Sequence, residues 1–232
     1  RILGSPNMES RDTRFEAHLI DGILALDAGG LTRSLTFEEQ ENIQAIILTH
    51  PHFDHIRDLL PFGLTMRDSG VTVDVYGIKD TLDFVAEKLM EGSLYPPVLE
   101  FLSPETPIYS MQEIEPLKDF QVLDYTVKAV PAPHAMPAVG FMISSDDVSV
   151  FYTGDAGRGV SDAWQHAAPD VLLTEVTFAN RGEQTAIDSV HMTPAYLDRP
   201  LSEFKRQKGY LPKMIAGHIN PPYKGEIRVE VK

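Results

Sequence analysis

The stretch Thr49-His50-Pro51-His52-Phe53-Asp54-His55 puts three of the chain's eight histidines and an aspartate within six residues. It follows directly on Ala45-Ile46-Ile47-Leu48, a short apolar run that suits a buried strand. After it, Ile56, Leu59, Leu60 and Leu64 recur at helical spacing over residues 56–66, despite Pro61 and Gly63. The segment therefore lies between a strand end and a helix start. In extended chain, residues two apart point to the same side. His50 and His52 then present their rings to one ion, Asp54 continues that row, and His55 faces the other way. Such a loop can serve two ions about 3.5–4 Å apart, a spacing that clamps a phosphoryl or acyl oxygen.

Each ion needs further ligands, and a chain without cysteine must find them among His, Asp and Glu. The rest of the sequence offers them in a repeated order of apolar strand, small or turn residue, then ligand. Val127 to Val130 leads through Pro131-Ala132-Pro133 to His134, Val148 to Thr153 through Gly154 to Asp155, and Met214-Ile215-Ala216 through Gly217 to His218. Strand ends at one edge of a sheet are where α/β folds gather ligands. Asp155, with two carboxylate oxygens, can bridge both ions. His18 and His166 stand outside this pattern and read as a satisfied core residue or a surface residue, without a role.

The remaining punctuation is Gly and Pro between short apolar runs, with no internal repeat. Asp21-Gly22 between Ala17–Ile20 and Ile23–Leu26 reads as a tight hairpin. Further strands are expected at 71–76, 122–130, 138–144, 148–152, 171–173, 213–216 and 227–231, and helices at 81–89 and 194–208. Tyr95 to Pro107 has only a loop and short-strand reading. Strands in series with helices inserted between some of them predict two sheets packed face to face and covered by helices. At 232 residues and 43% hydrophobic composition, the chain reads as a single domain over 1–232.

Lys and Arg number 20 against 34 Asp and Glu, a net charge of −14 whose field repels polyanions. A long nucleic acid is therefore not expected as a partner, whereas two divalent cations would make a positive pocket for a small phosphate ester. No apolar run approaches the roughly 18 residues of a membrane span, and the first residues lack the apolar centre of a signal peptide. The expectation is a soluble, cytoplasmic protein with no membrane partner. Its opening on Arg1 leaves a trimmed start or a removed leader open.

The ordered series Asp27 in LALDAGG, THPHFDH, His134, Gly154-Asp155 and Gly217-His218 resembles the metallo-β-lactamase fold superfamily over essentially the whole chain. The resemblance implies an α/β fold, an αββα sandwich of two mixed β-sheets flanked by helices, with a dinuclear site at one sheet edge. It implies His50, His52 and His134 on one metal, Asp54, His55 and His218 on the other, and Asp155 between them. Asp27 would steady the ligand loops from behind, although beside Gly29-Gly30 it reads equally as a turn former. Family habit favours two zinc ions, while His and carboxylate ligands also suit manganese and iron.

Two further segments, Thr174-Glu175-Val176-Thr177-Phe178 and Ser189-Val190-His191-Met192-Thr193-Pro194, resemble the glutamate and HxT-type histidine segments of the phosphodiesterase branch. That branch includes the tRNA 3′-processing endonuclease and the class II cyclic-nucleotide phosphodiesterases. LTHPHFDHIRDLLPF, Tyr95-Pro96-Pro97 and HMTPAYLDRPLSEF look nearer to the second group, and no basic, Gly-rich arm of the endonuclease kind is present. The N-terminal ILGSPNMES departs from the branch in lacking its Gly-Thr-Gly-like turn. The resemblance implies a dinuclear phosphodiesterase acting on a cyclic nucleotide or another small phosphodiester. A hydroxide bridging the ions would be the nucleophile, with Asp54, His191 and Glu175 as catalytic residues and His191 as the acid that Glu175 orients. A non-catalytic di-iron sensor, a tRNA 3′-endonuclease-like enzyme and a thioester hydrolase are the alternatives. A homodimer is the habit of the branch.

Overall fold

The computed structural model describes residues 1–95 and 107–231. The chain divides into two compact units, residues 1–114 and 115–232, each built on one six-stranded mixed sheet whose strands lie side by side in sequence order. The first sheet comprises β1 (Ile2–Gly4), β2 (Ala17–Ile20), β3 (Leu24–Leu26), β4 (Ala45–Ile47), β5 (Val73–Gly77) and β6 (Tyr109–Glu113). β1 to β3 pair antiparallel, and from β3 to β6 every pairing is parallel. The β2–β3 hairpin turns at Asp21 and Gly22, both with positive φ (50° and 80°), as a type I′ turn requires. Ala45, Ile46 and Ile47 are all buried, the pattern of a parallel strand covered on both faces. The unit carries helices α1 (Phe37–Glu41), α2 (Phe53–Ile56), α3 (Leu59–Met66) and α4 (Lys79–Phe84), the first started by a capping box between Thr36 and Glu39.

The second sheet comprises β7 (Asp119–Val122), β8 (Tyr125–Pro131), β9 (Val139–Ser144), β10 (Ser149–Tyr152), β11 (Val171–Glu175) and β12 (Lys213–Gly217). β7 to β10 pair antiparallel, and β10 to β12 parallel. Because β9 runs against both neighbours, β8, β10, β11 and β12 share one direction and end at one edge. Helices α5 (Glu183–Asp188), α6 (Pro194–Lys208) and α7 (Lys224–Glu230) complete the unit. Its core holds Phe151, Trp164 and Phe204 in edge-to-face pairs, and Trp164 Nε1–H donates to the Pro200 carbonyl inside α6 at 2.9 Å. Among the described residues no helix is long and apolar enough to cross a membrane.

Several expected elements take a different form. The expected strand at 227–231 is helix α7: Pro221 and Pro222 preset helical φ just before it. Of its apolar residues Ile227 is buried while Val229 is 67% exposed, so one helical face is covered rather than alternate residues of a strand. The expected strand at 122–130 is strand β8 from Tyr125 on, while its first residues close the β7–β8 hairpin, where Leu123 at φ 54° and Asp124 turn the chain. The helix expected over 56–66 begins earlier, inside the histidine motif, and breaks between α2 and α3. Asp58 at the break accepts the Thr32 N–H and hydroxyl, both at 2.8 Å. Asp54 and His55 consequently lie on a helical turn, and the extended row of ligands stops at His52. The helix expected at 81–89 is α4 running on into a π-helical turn over Val85–Leu89. β1 and β6 were not foreseen. Residues 96–106, most of the loop and short-strand segment, lie outside the described residues.

Candidate metal centre

In the first unit, Asp27 follows β3 with φ 55° and is fully buried. Its carboxylate accepts the Thr49 N–H at 2.8 Å, the Thr49 hydroxyl at 2.9 Å and the His55 Nδ1–H at 2.7 Å. With the hydroxyl proton committed to Asp27, Thr49 Oγ1 accepts from His50 Nδ1–H at 3.0 Å. Both imidazoles are thereby set in the tautomer that keeps the lone pair on Nε2. His50 Nε2 faces His52 Nδ1 at 2.9 Å, the His50 and His55 rings lie 4.2 Å apart, and His55 Nε2 stands 3.9 Å from Asp54 Oδ2. Asp27 thus performs both roles read from the sequence, turning the backbone and steadying two ligand candidates.

The backbone around Asp27 is as tightly matched. Ala28 N–H donates to His55 O at 2.6 Å, and Asp58 N–H to Ala28 O at 2.8 Å. A Cβ on Gly29 would stand 1.7 Å from the Asp54 carbonyl oxygen and 2.9 Å from that of Glu16, both backbone atoms. Gly29→Ala must push the Asp54 turn aside. The expected result is a loss of about 1–3 kcal/mol of stability together with weaker metal binding. Thermal melts and a metal titration check it, and a variant matching the parent in both would show that the two backbones are not packed this closely.

In the second unit the shared edge of β8, β10, β11 and β12 carries Glu175 at the end of β11, and His134, Asp155 and His218 just beyond the ends of the other three. Asp155 Oδ1 lies 3.4 Å from His218 Nε2, and Oδ2 lies 3.9 Å from His134 Nε2. His134 turns Nδ1 toward the Val190 carbonyl at 3.4 Å. Glu175, last residue of β11 and 2% exposed, is the hub. Its Oε1 accepts Ala156 N–H at 2.7 Å and His191 Nδ1–H at 2.9 Å; its Oε2 accepts the Thr177 hydroxyl at 2.5 Å and Met192 N–H at 3.0 Å. Thr177 Oγ1 in turn accepts His218 Nδ1–H at 2.9 Å. His191 stacks on His218 with ring centroids 5.2 Å apart. Burial opposes a charge on His191, but the charge and hydrogen bond of Glu175, with the charge of Asp155, hold its pKa above the ordinary histidine value.

Each unit therefore uses one buried carboxylate and one threonine to orient two imidazoles. His50, His55, His134 and His218 all spend Nδ1 on an oxygen and turn Nε2 toward neighbouring candidates. That is the habit of metal-bound histidine, and the nitrogen and carboxylate donors form clusters able to bind metal. Asp155, His191 and His218 also offer ligand atoms within 4.8 Å of one another. His18 is buried on Glu16 at 2.5 Å and His166 is exposed, and neither joins these clusters. The sequence reading missed Thr49 and Thr177. The available signal was position: Thr49 begins the motif, and Thr177 lies two residues beyond Glu175.

Residues 19–210 match the family described as the β-lactamase superfamily domain. The Integrator complex subunit 11 homolog of Dictyostelium discoideum is 31% identical in an alignment 153 residues long that covers 59% of this chain. The aligned stretch is 20% of that protein, and 20% again of a second curated relative, so the chain spans about a fifth of the curated relatives it matches. Among solved structures, the metallo-β-lactamase fold protein YhfI of Bacillus subtilis is similar with TM-score 0.77 and 19% identity, covering 100% of this chain and 90% of that one. Unliganded yeast PDE1 is similar with TM-score 0.80 and 14% identity, covering 99% and 91%. Two mixed six-stranded sheets flanked by helices are the fold shared with these structures.

Proposed function

The chain belongs to the β-lactamase superfamily, and from that premise we propose that it is a dinuclear metal-dependent phosphodiesterase acting on a cyclic nucleotide or another small phosphodiester. In this reading His50, His52, Asp54, His55, His134, Asp155 and His218 are the residues that would hold the ions. Family habit makes zinc the proposed metal, and the same nitrogen and oxygen donors suit manganese and iron as well. When bound, such ions neutralise phosphoryl charge and lower the pKa of a water to near neutrality.

The observation that carries the reaction class is the His191–Glu175 pair. A histidine whose Nδ1–H is held by a buried carboxylate takes up a proton on Nε2 more readily than an ordinary imidazole, which suits it to act as an acid. In the proposed reaction the phosphorus–oxygen bond to the leaving ribose oxygen breaks as water adds to phosphorus and releases a proton to the solvent, from which His191 is later reprotonated. His191 gives its Nε2 proton to that oxygen, and Glu175 holds the ring and stabilises its charge. Hydrolysis of a thioester does not call for this pair, because a thiolate departs without a proton. The net charge of −14 supports a small substrate over a long nucleic acid, whose binding rests on phosphate neutralisation by Lys and Arg.

The test is a panel of cyclic mononucleotides, cyclic dinucleotides, linear diesters and a thioester, run on metal-reconstituted and chelator-treated protein. Turnover of at least one small diester, abolished by the chelator, is expected. Activity confined to the thioester would overturn the reaction class. A coloured, iron-loaded protein silent on every substrate would replace the enzyme with a sensor.

A further inference from the structure

Beyond Met192, the neighbour of the His191 acid, the second unit opens a cavity of 580 Å³, within the roughly 300–1,000 Å³ range of small-ligand sites. Its walls include Arg158, Ser161, Met192, Tyr196 and Arg199, and among all its lining residues there is no Asp or Glu. In a chain where acids outnumber bases by 34 to 20, two guanidinium groups on one cavity run against the overall charge. Arg158 lies three residues past Asp155, in the turn Gly157–Arg158–Gly159, so the strand end that delivers Asp155 also delivers this cation. Arg199 stands on α6, one turn after Tyr196, and both are on the helix that follows His191.

Arg158 is preset. Its guanidinium lies 4.2 Å from the centre of the Tyr196 ring and bonds to the Tyr196 hydroxyl. The hydroxyl donates to Glu183 at 2.6 Å, and Glu183 stands 3.6 Å from the guanidinium at the exposed rim. An exposed pair of that kind is weak, so an incoming anion can take the Glu183 place on Arg158. The planar fork of arginine matches phosphate oxygens two at a time, which makes phosphate the anion these two side chains suit best.

We propose that this cavity is an anion subsite for a second phosphate of the substrate, on the side of the departing oxygen. The preferred substrate is then a phosphodiester whose leaving fragment carries another phosphate, cyclic as in a cyclic dinucleotide or linear as in a phosphorylated dinucleotide, rather than a cyclic mononucleotide. The assignment rests on the phosphodiesterase reading for the identity of the substrate and on the cavity alone for the binding of phosphate.

Two measurements test it. The first compares kcat/KM for a cyclic dinucleotide, for a 5′-phosphorylated linear dinucleotide and for bis(p-nitrophenyl) phosphate, which has no second anion. Arg199→Gln and Arg158→Gln are each expected to lower the ratio of the phosphorylated substrates to the bare diester about tenfold or more, mainly through KM. Which of the two phosphorylated substrates loses more tells the cyclic source from the linear one. An unchanged ratio in both variants overturns the subsite. The second titrates adenosine monophosphate into metal-free protein by calorimetry, where no bound ion competes with the arginines. Binding that disappears in the double variant is expected, and its absence from the parent or its persistence in the double variant overturns the subsite. Should the parent hydrolyse no diester at all, the phosphodiesterase reading fails, and the calorimetric result alone decides the subsite.

Discussion

His191→Ala is expected to lower the turnover of a phosphodiester by about 10²- to 10⁴-fold, the usual contribution of a placed general acid, while the protein keeps its full metal content. The reason lies in the two ends of one imidazole. Nδ1–H is committed to Glu175 at 2.9 Å, and the ring is stacked on His218, so Nε2 is the end available to a departing oxygen. The same ring lies close enough to Asp155 and His218 to act as a ligand. Metal analysis of the variant separates the two roles: turnover lost with the metal retained makes His191 the acid, while metal lost along with turnover makes it a ligand. Undiminished turnover would remove it from the reaction altogether. A substrate whose leaving group needs no proton, such as a p-nitrophenyl ester, should suffer much less in the same variant.

Glu175→Ala is expected to cost on the order of 4 kcal/mol of stability, a size reached when a buried network loses its acceptor. Four donors converge on this carboxylate: the backbone N–H groups of Ala156 and Met192, the Thr177 hydroxyl and the His191 ring. Each buried donor left without an acceptor costs about 1–3 kcal/mol, and the four are coupled, so the sum is smaller than four separate penalties. A fall in Tm of roughly 10 °C follows for a chain of this size. Thr177→Val removes one donor and strands only the His218 N–H, so it should fall by a fraction of that amount. Melting curves of the two variants beside the parent are the check. A Glu175→Ala protein melting within a degree or two of the parent would show that the carboxylate is not the hub the distances describe.

These two residues also mark how far the sequence could be read. The ligand candidates were legible because metal chemistry restricts both residue type and position. His50, His52, Asp54, His55, His134, Asp155 and His218 all follow apolar strand runs, and each such run is a strand in the fold. The Asp21-Gly22 hairpin and α6 were legible for the same kind of reason, since a turn residue or a cap with Pro at the first position acts through its immediate neighbours. Local pattern misled where the surroundings choose between conformations. The apolar alternation over 227–231 is that of a strand, yet Ile227 and, partly, Val231 four residues on pack on the core while Val229 stays exposed, and the preceding prolines start a helix.

What the sequence by itself determined, then, is the inventory of donors, their order along the chain and the strands that present them, because side-chain chemistry and hydrophobic period are written in consecutive residues. Only the tertiary structure decided which nitrogen of each imidazole faces outward, since that follows from Asp27 reaching His50 through Thr49, and Glu175 reaching His218 through Thr177. The gathering of Arg158, Tyr196 and Arg199 around one cavity was decided there as well. Contacts between residues about 20 to 40 positions apart depend on strand order and on where each strand ends. No local run of sequence carries that information.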